Sequence, residues 1–408
     1  AAGGPDLELV WREALCGGEL FTFRWEGDRM VRAWMPPGHD ATMEALPCLW
    51  MNDGQNVFRD EVAFGGVSWG AAGTTGHLIE CGCIPRIAVI AIDHAGMRRP
   101  YDYLPEPPGD WGGMRRDMAD GPGGGVGAYL ERVLLELLPW GERRFGLSPK
   151  PRDRTFGGSS FGGVAALYMA MWHPKAFHGA LIESPSFWAC QGRLLRDVAK
   201  HSGEWPERIY LAMGACEYSA TRPGSGDAGA NCDARLADAC AECAGHLATQ
   251  GLTKGRLDWH VEAGAAHNER DWRRRLPRAL RWLLAAEAPG PESSKASFWT
   301  RPAPVEPGRP FEVYADPGRI LLPIGGASPQ IHFGFDSWSR DVQSVALLPA
   351  GLPQAPLGVD HSRGAAPGWL AALLAAPPGA LDLRFAFTDG SAWDNNGGCD
   401  YEVIVAHS

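Results

Sequence analysis

Apolar and polar residues follow two kinds of pattern over the first 288 residues. Short and almost continuous apolar runs, such as Ile87–Ile92, are typical of buried parallel strands. Longer segments with apolar residues at helical spacing, such as Val126–Phe145, are typical of helices packed on a core. The two patterns alternate, and this order predicts a parallel sheet covered by helices on both faces. Residues 1–288 are therefore predicted to form an α/β domain.

The boundaries of the predicted elements follow from these patterns and from the turn residues between them. A hairpin signal, Glu26-Gly27-Asp28, joins two strand-like runs in residues 19–36. The further predicted strands are Pro47–Met51, Arg86–Asp93, Arg154–Gly157, Gly179–Glu183, Arg208–Met213 and Leu257–Ala263. The predicted helices are Val126–Phe145, Gly162–Trp172, Asp233–Gln250 and Arg270–Glu287.

The pattern changes at residue 289. Six prolines fall within residues 289–310, and this density predicts a stiff, extended linker. Residues 311–408 contain short strand-like runs separated by Gly, Pro and Asp, which predict a small β-sandwich. The runs are Phe311–Tyr314, Gln330–Phe335, Val342–Leu348, Leu381–Thr388 and Tyr401–Ala406. One segment of this region, Trp369–Ala376, is a candidate helix.

Composition and charge narrow the function classes. Hydrophobic residues make up 45% of the 408 residues and charged residues 21%, as in ordinary globular proteins. The longest apolar run, Val164–Trp172, is far shorter than the roughly 18 residues of a membrane span, so no membrane partner is expected. Residues 1–6 show no features of a targeting peptide. The net charge is −10, and the densest arginine cluster lies on the predicted helix Arg270–Glu287, so we expect a solvated face and no nucleic-acid partner.

The ten cysteines are scattered along the chain, which is unlike a small disulfide-rich scaffold. Cys240 and Cys243 form a C-x-x-C pair with Cys232 and His246 nearby. A zinc site would need a second ligand pair at a suitable spacing, and these residues fall on or beside a predicted Ala-rich helix. We therefore expect reduced thiols on a helix, no metal site and no organic cofactor.

A G-x-S-x-G motif, Gly158-Ser159-Ser160-Phe161-Gly162, lies between a predicted strand and a predicted helix. In a nucleophile elbow the serine occupies a strained turn between two such elements, and glycines let the neighbouring backbone pass closely. Ser160 is the central residue and the predicted nucleophile, with Ser159 as the alternative. The N–H group of Phe161 is expected to help bind an oxyanion.

A serine nucleophile needs a general base and a carboxylate, which follow it along the chain in folds with this elbow. His267 lies in the loop after the last predicted strand and is the predicted base. Glu217, just after the strand Arg208–Met213, is the predicted carboxylate. Three other carboxylates remain alternatives for this role: Asp227, Asp233 and Glu183. 

The second oxyanion donor is expected in the loop after the strand Pro47–Met51. The sequence Asn52-Asp53-Gly54-Gln55-Asn56 forms that loop, and the N–H group of Gly54 or Gln55 is the predicted donor. Six residues on loops at the carboxyl ends of the strands are candidates for the substrate pocket: His94, Arg99, Tyr103, Trp111, Trp188 and Tyr218. Large aromatic residues are equally common in protein cores, so a core role stays open for them.

The motifs together resemble the putative-esterase family, which includes enterochelin, feruloyl and acetyl-xylan esterases, S-formylglutathione hydrolase and mycolyltransferases. The resemblance covers about residues 20–285 and is carried by Met51–Phe58, by Ile92-Asp93 with Arg99 and Tyr103, and by Ser159–Gly163. It implies an α/β-hydrolase fold and a triad of Ser160, Glu217 and His267. The chain departs from many members of the family in having Glu217 where they have Asp.

The C-terminal region places tryptophans near Asn, Asp and His, which suits stacking on a sugar ring and bonding of its hydroxyls. The segments Ile331–Trp338, Phe385–Gly390 and Trp393–Tyr401 resemble the starch-binding carbohydrate-binding modules of families 25 and 53, over about residues 311–406. The resemblance implies a β-sandwich that binds α-glucan through His332, Trp338, Trp393, Asn395 and Asn396. An acidic module of this kind suits a neutral ligand better than a polyanion.

These observations predict a serine carboxylic-ester hydrolase of a small ester substrate, joined to a module that binds starch or another α-glucan. Acyl transfer to a sugar hydroxyl and a non-catalytic glucan-binding scaffold are the alternatives. The abundance of Ala, Gly, Arg and Pro, together with a starch module, predicts the plastid of a green alga as the location, with secretion as the alternative.

Overall fold

In the computed structural model the chain divides into two compact units. The first comprises Ala1–Glu13, Leu20–Trp69 and Ile87–Arg273, and the second comprises Ala14–Glu19, Gly70–Arg86 and Arg274–Ser408. The structure describes residues 5–42, 45–80, 84–109, 121–222, 224–253, 255–284, 298–301, 305–315, 329–336, 340–349, 370–378, 380, 382–388, 393–394 and 401–405.

The first unit is built on a nine-stranded sheet. Its strands are β1 (Glu8–Leu15), β2 (Gly18–Glu26), β3 (Arg29–Met35), β4 (Cys48–Asn52), β5 (Ala88–Ile92), β6 (Arg154–Ser159), β7 (Gly179–Glu183), β8 (Arg208–Gly214) and β9 (Leu257–Glu262). Their order is β1-β2-β3-β5-β4-β6-β7-β8-β9. β3 is antiparallel to β5. The other six strands, in the spatial order β5-β4-β6-β7-β8-β9, all pair in parallel. The predicted α/β class is confirmed.

The parallel part of the sheet positions the candidate site. Parallel strands place their carboxyl ends at one edge, where the loops that follow them converge. The loops after β4, β6, β8 and β9 carry Gly54, Ser160, Glu217 and His267 respectively. β4, β5 and β7 are buried along their whole length, which explains why their sequences are continuous apolar runs rather than alternating ones.

The helices agree with the predicted ones where the apolar spacing is regular. They are α1 (Ala71–Glu80), α2 (Arg99–Tyr103), α3 (Val126–Arg132), α4 (Leu138–Phe145), α5 (Phe161–Trp172), α6 (Arg193–Lys200), α7 (Gly226–Thr249) and α8 (Glu269–Leu284). A π-helical turn, Val133–Leu137, joins α3 to α4. α7 begins seven residues before the predicted start and carries Cys240 and Cys243, both of which are buried. Arg275 on α8 is also buried, in contrast to the solvated face predicted for this arginine cluster.

The second unit contains two small antiparallel sheets. Its strands are β10 (Phe298–Arg301), β11 (Pro310–Ala315), β12 (Gln330–Phe335), β13 (Arg340–Ala346), β14 (Leu348–Pro349), β15 (Leu370–Ala375), β16 (Asp382–Thr388), β17 (Trp393–Asp394) and β18 (Tyr401–Ile404). One sheet has the order β10-β11-β15-β14. The other has the order β13-β12-β16-β17, with β18 also paired to β16. Small antiparallel sheets are what the short strand-like runs predicted.

Two segments of the second unit differ from the sequence-based expectation. The prediction of a helix at Trp369–Ala376 is wrong, because residues Leu370–Ala375 form a strand that pairs with β11 at six positions. Pairing in the sheet overrides the helix preference of Ala and Leu. The predicted linker contains β10, which pairs with β11 from Phe298 to Arg301. 

The second unit also includes α1, from a part of the chain that was predicted to belong to the first domain. α1 packs against β18, and the His77 ring stacks on Phe298 with centroids 4.7 Å apart. Within the residues that the structure describes, no helix is both long and apolar enough to cross a bilayer.

Candidate active site

Ser160 occupies a strained turn between β6 and α5. Its φ of +57° and ψ of −124° lie outside the regions that non-glycine residues ordinarily adopt. Ser159, the sequence alternative, lies within β6 and is only 4% exposed, whereas Ser160 lines a cavity of about 290 Å³. Of the two neighbouring serines, Ser160 therefore has the geometry of an accessible nucleophile.

The two glycines that flank the turn are required by close packing. A Cβ atom on Gly158 would lie 2.8 Å from the backbone of Gly162. A Cβ atom on Gly162 would lie 2.9 Å from Asp53 Oδ2 and 3.0 Å from Asn52 Cβ. Asn52 Nδ2 also donates a hydrogen bond to the carbonyl of Gly162 at 2.8 Å. The end of β4 thus packs directly on the turn, which fixes the position of Ser160.

Glu217 and His267 are brought into contact by the loops after β8 and β9. His267 Nδ1 donates a hydrogen bond to Glu217 Oε2. Because a carboxylate only accepts hydrogen bonds, Nδ1 carries the proton in this contact and Nε2 is the nitrogen left to act as a base. His267 and Glu217 line the same cavity as Ser160. The serine, the histidine and the glutamate therefore meet at one site.

The other carboxylate oxygen of Glu217 is held by two further donors. Ser184 Oγ and the N–H group of Gly214 each donate to Oε1 at 2.6 Å. Burial by itself raises the pKa of Glu217, but the charge of His267 and the hydrogen bonds that the carboxylate accepts outweigh it. The net pKa is below its ordinary value, so Glu217 stays ionised at neutral pH.

Two further hydrogen bonds that support Glu217 and His267 were not predicted from the sequence. Trp272 on α8 donates from Nε1 to Ser184 Oγ at 2.9 Å, and Ser184 in turn donates to Glu217. The Trp272 ring also meets His267 edge-on, with centroids 5.1 Å apart. Ser184 has a positive φ of 42°, so this contact depends on a backbone turn that no sequence pattern indicates. Ser184 and Trp272 hold the glutamate and the imidazole in place.

The alternative carboxylates occupy other positions. Glu183 is fully buried at the end of β7. Asp233 is buried and accepts hydrogen bonds from the N–H groups of Tyr218 and Ser219, at 2.6 Å and 3.2 Å. Asp227 is exposed in the first turn of α7. Of these carboxylates and Glu217, the structure places Glu217 against His267.

The loop after β4 is tightly packed at Gly54. A Cβ atom on Gly54 would lie 2.7 Å from Asp93 Oδ1 and 2.8 Å from the carbonyl carbon of Ala91, so only glycine fits there. Phe161, the residue after Ser160, lines the Ser160 cavity, whereas neither Gly54 nor Gln55 is among the residues that line it. Stabilising an oxyanion takes two N–H groups aimed at one point.

Three of the six candidate pocket residues line the Ser160 cavity, namely Arg99, Trp188 and Tyr218, and Trp111 lies outside the described residues. Arg99 binds both carboxylate oxygens of Asp53, at 2.7 Å and 2.8 Å. Tyr103 is fully buried and accepts a hydrogen bond from the Asp53 N–H group, so the core role left open for it is the one observed. His94 and Gln55 line a separate cavity of about 490 Å³. Residues that are close in sequence on these loops therefore line two different cavities.

Ser186 is a further cavity residue that the sequence did not indicate. Its Oγ lies 3.2 Å from Ser160 Oγ, and its N–H group donates to the Ser160 carbonyl at 3.2 Å. The hydroxyl of the candidate nucleophile is therefore within hydrogen-bond reach of a second hydroxyl in the same cavity.

Glu269, two residues after His267, connects the histidine loop to the loop after β4. It is 8% exposed and accepts a hydrogen bond from Asn56 Nδ2 at 2.8 Å. Burial raises the pKa of Glu269 to about 7, and the charge of Asp53 adds to this effect, whereas the charges of His267 and Arg99 oppose it. Glu269 is thus a buried carboxyl group that titrates near neutral pH.

The raised pKa of Glu269 predicts a pH-dependent stability difference. Between pH 4.5 and pH 7 the folded chain holds this proton more tightly than the unfolded chain, so the contribution of Glu269 to stability falls as pH rises. Relative to Glu269→Gln, the free energy of unfolding of the wild type should fall by up to about 3 kcal/mol between pH 4.5 and pH 8. Urea denaturation at both pH values measures this. Glu131→Gln, at an exposed position on α3, should give no such trend. Parallel stabilities of wild type and Glu269→Gln across this range would contradict the prediction.

The sequence pattern of the family described as putative esterase matches residues 24–283, which is more than half of the chain. The chain belongs to the putative esterase family. It is accordingly a carboxylic ester hydrolase, with the α/β fold that the alternating sequence patterns predicted.

Three solved structures are similar to this chain at low sequence identity, and the one with a TM-score above 0.5 shows the same fold. The siderophore hydrolase EstA from Aspergillus nidulans is 19% identical, with a TM-score of 0.51, and the match covers 66% of this chain and 95% of that one. The BES protein from Bacillus cereus is 16% identical, with a TM-score of 0.49, over 68% and 99% of the two chains. The IroE-like serine hydrolase from Shewanella oneidensis is 20% identical, with a TM-score of 0.49, over 65% and 80%.

Proposed function

We propose that this esterase works through an acyl-enzyme formed on Ser160, with His267 as general base and Glu217 as the carboxylate that orients it. The observation that carries the proposal is the hydrogen bond from His267 Nδ1 to Glu217, made in the cavity that Ser160 lines. That bond fixes the imidazole tautomer and leaves Nε2 unprotonated. The strained backbone at Ser160 supports the same assignment.

The proposed reaction has two halves. Ser160 Oγ attacks the ester carbonyl carbon while its proton passes to His267 Nε2, and a tetrahedral intermediate forms. Its oxyanion is bound by the N–H groups of Phe161 and of Gly54 or Gln55. Collapse breaks the bond to the alcohol, which leaves with the proton from His267. Water, deprotonated by His267, then attacks the acyl-enzyme and releases the carboxylic acid and Ser160.

The test of hydrolysis is a product analysis over a panel of chromogenic esters, from acetyl to feruloyl. Each ester is incubated with the full chain, with and without an added sugar or simple alcohol as acceptor. The proposal expects free acid as the main product in both cases. A new ester that replaces the free acid when the acceptor is present would instead identify acyl transfer.

We further propose that the second unit binds starch or another α-glucan through the residues of its resemblance to starch-binding modules. His332 lies on β12, partly exposed, and its Nδ1 is 2.8 Å from Ser344 Oγ. Trp393 lies on β17, paired with Thr388. Trp338, Asn395 and Asn396 lie outside the described residues. The plastid of a green alga, with secretion as the alternative, remains the proposed location.

Loss of either tryptophan platform should weaken starch binding. Stacking of a ring on an aromatic face is worth roughly 1–3 kcal/mol for nucleic-acid bases, and we apply that scale to a sugar. Trp338→Ala and Trp393→Ala should each weaken binding by about 5- to 150-fold. Co-sedimentation of the full chain with granular starch measures this, since β10 and α1 belong to the same unit as the module and an isolated 311–408 fragment would lack them.

The controls for this prediction are cellulose and salt. Flat β-linked chains should bind poorly, and binding to a neutral glucan should change little with ionic strength. A wild-type chain that stays in the supernatant with starch would rule the proposal out. If Trp338→Ala and Trp393→Ala bind starch as tightly as the wild type does, these two tryptophans are not part of the binding site.

A further inference from the structure

The charges that line the Ser160 cavity are not balanced. Three of its lining residues carry permanent charges, namely Arg99, Glu217 and Arg222. Arg99 is neutralised by its two hydrogen bonds to Asp53. The carboxylate of Glu217 accepts hydrogen bonds from His267, Ser184 and the N–H group of Gly214. Arg222 makes no ion pair with any residue that the structure describes, and its guanidinium is the cation left for a ligand.

Arg222 is held in place by stacking on an aromatic ring and by a backbone hydrogen bond. Its guanidinium carbon lies 4.3 Å from the centroid of the Tyr218 ring, which also lines the cavity. The backbone N–H group of Arg222 donates to the Ser219 carbonyl at 3.1 Å. The same loop is anchored by buried Asp233, which accepts the N–H groups of Tyr218 and Ser219. Stacking on an aromatic ring leaves the edge of a guanidinium, with its N–H groups, open to a planar anion.

We propose that the cavity contains an anion subsite at Arg222, and that the substrate is an ester whose acyl or alcohol part carries a carboxylate or a similar planar anion. This deepens the proposed function and rests on it. An arginine suits such a group because its N–H donors match the two oxygens of a carboxylate. The aromatic residue Trp188 lines the same cavity. 

The first arm of the test compares matched esters. On the acyl side, mono(4-nitrophenyl) adipate is compared with 4-nitrophenyl heptanoate. On the alcohol side, 4-acetoxybenzoate is compared with 4-acetoxybenzamide. The wild type should show a kcat/KM about tenfold higher for the anionic member of at least one pair, the lower end of what a hydrogen bond to a charged group gives. The pair that shows the preference identifies which side carries the anion.

The variants assign this preference to one residue. Arg222→Gln should bring the ratio of the two kcat/KM values close to one, and Arg222→Lys should keep part of it. Arg152→Gln removes the same charge at an exposed position that does not line the cavity, and should leave the ratio as in wild type. Raising the ionic strength should lower the wild-type ratio.

A binding arm separates this proposal from the proposed hydrolysis. The same four esters are titrated into the Ser160→Ala chain with and without Arg222→Gln, and binding is measured by calorimetry. Tighter binding of an anionic ester, lost with Arg222→Gln, supports the subsite even if the wild type hydrolyses none of the esters, in which case the proposed function alone fails. Equal binding and equal kcat/KM for both members of both pairs would overturn the subsite. Ratios that are the same in Arg222→Gln and wild type would overturn it too.

Discussion

Ser160→Ala is expected to lower kcat for ester hydrolysis by at least about 10⁴-fold. In the best-studied serine hydrolases, loss of the nucleophile costs about as much as loss of the entire triad, because the three residues act as a unit. The remaining rate comes from oxyanion binding and substrate positioning alone. The substitution removes one oxygen from a half-buried position, so the fold should be retained. Initial rates on a chromogenic acetyl ester measure the effect.

Ser159→Ala is the matched control for this prediction. It removes the same atom from the neighbouring residue, but Ser159 lies buried within β6 and does not line the cavity. Its effect on kcat should be small in comparison. An inactive Ser159→Ala beside an active Ser160→Ala would mean that the nucleophile has been assigned to the wrong residue.

The strand pattern of the first unit was predictable because its strands are buried on both faces. β5 and β7 are continuous apolar runs that differ from the predicted bounds by at most two residues at either end. The chemistry-bearing loops could also be placed, since each follows the carboxyl end of a parallel strand. Ser160, Glu217 and His267 were selected on that rule, and the structure brings them to one cavity.

The supporting residues could not be found in this way. Ser184 has a positive φ and donates its hydrogen bond to Glu217 from that turn. Trp272, in the first turn of α8, donates to Ser184. Both contacts depend on where a side chain points after the loops have folded, which no apolar periodicity records. The same reason explains why His94 lines a different cavity from Arg99, although the two are only five positions apart in the sequence.

The second unit shows where local preference misleads. Leu370–Ala375 reads LAALLA, a sequence of strong helix formers, yet it is the strand β15 between β11 and β14. Six consecutive backbone pairs with β11 outweigh differences in helix propensity of a few tenths of a kcal/mol per residue. Similarly, the prolines of residues 289–310 suggested a linker throughout, although β10 contains none and pairs with β11.

Glu217→Gln is expected to lower kcat by roughly 10³- to 10⁴-fold while leaving the fold intact. An amide in place of the carboxylate can still occupy the position, but it no longer stabilises the imidazolium and it can favour the wrong tautomer of His267, as the corresponding Asp-to-Asn change does in a serine protease. The carboxylate also accepts from Ser184 and from the Gly214 amide. Circular dichroism and urea denaturation should separate the catalytic loss from any loss of stability.

Two further variants decide whether Glu217 itself is the orienting group. Glu183→Gln alters the rival carboxyl group at the end of β7, which is fully buried, so its expected effect is on stability rather than on kcat. Glu217→Asp keeps the charge but shortens the side chain by one methylene. Because the present contact with His267 is direct, the shorter side chain should leave a gap, and the variant should fall between Glu217→Gln and wild type. Full activity in Glu217→Gln, with loss of kcat in folded Glu183→Gln, would transfer the role to the earlier strand. Equal rates in Glu217→Asp and Glu217→Gln would instead show that the distance to His267, rather than the negative charge, limits the reaction.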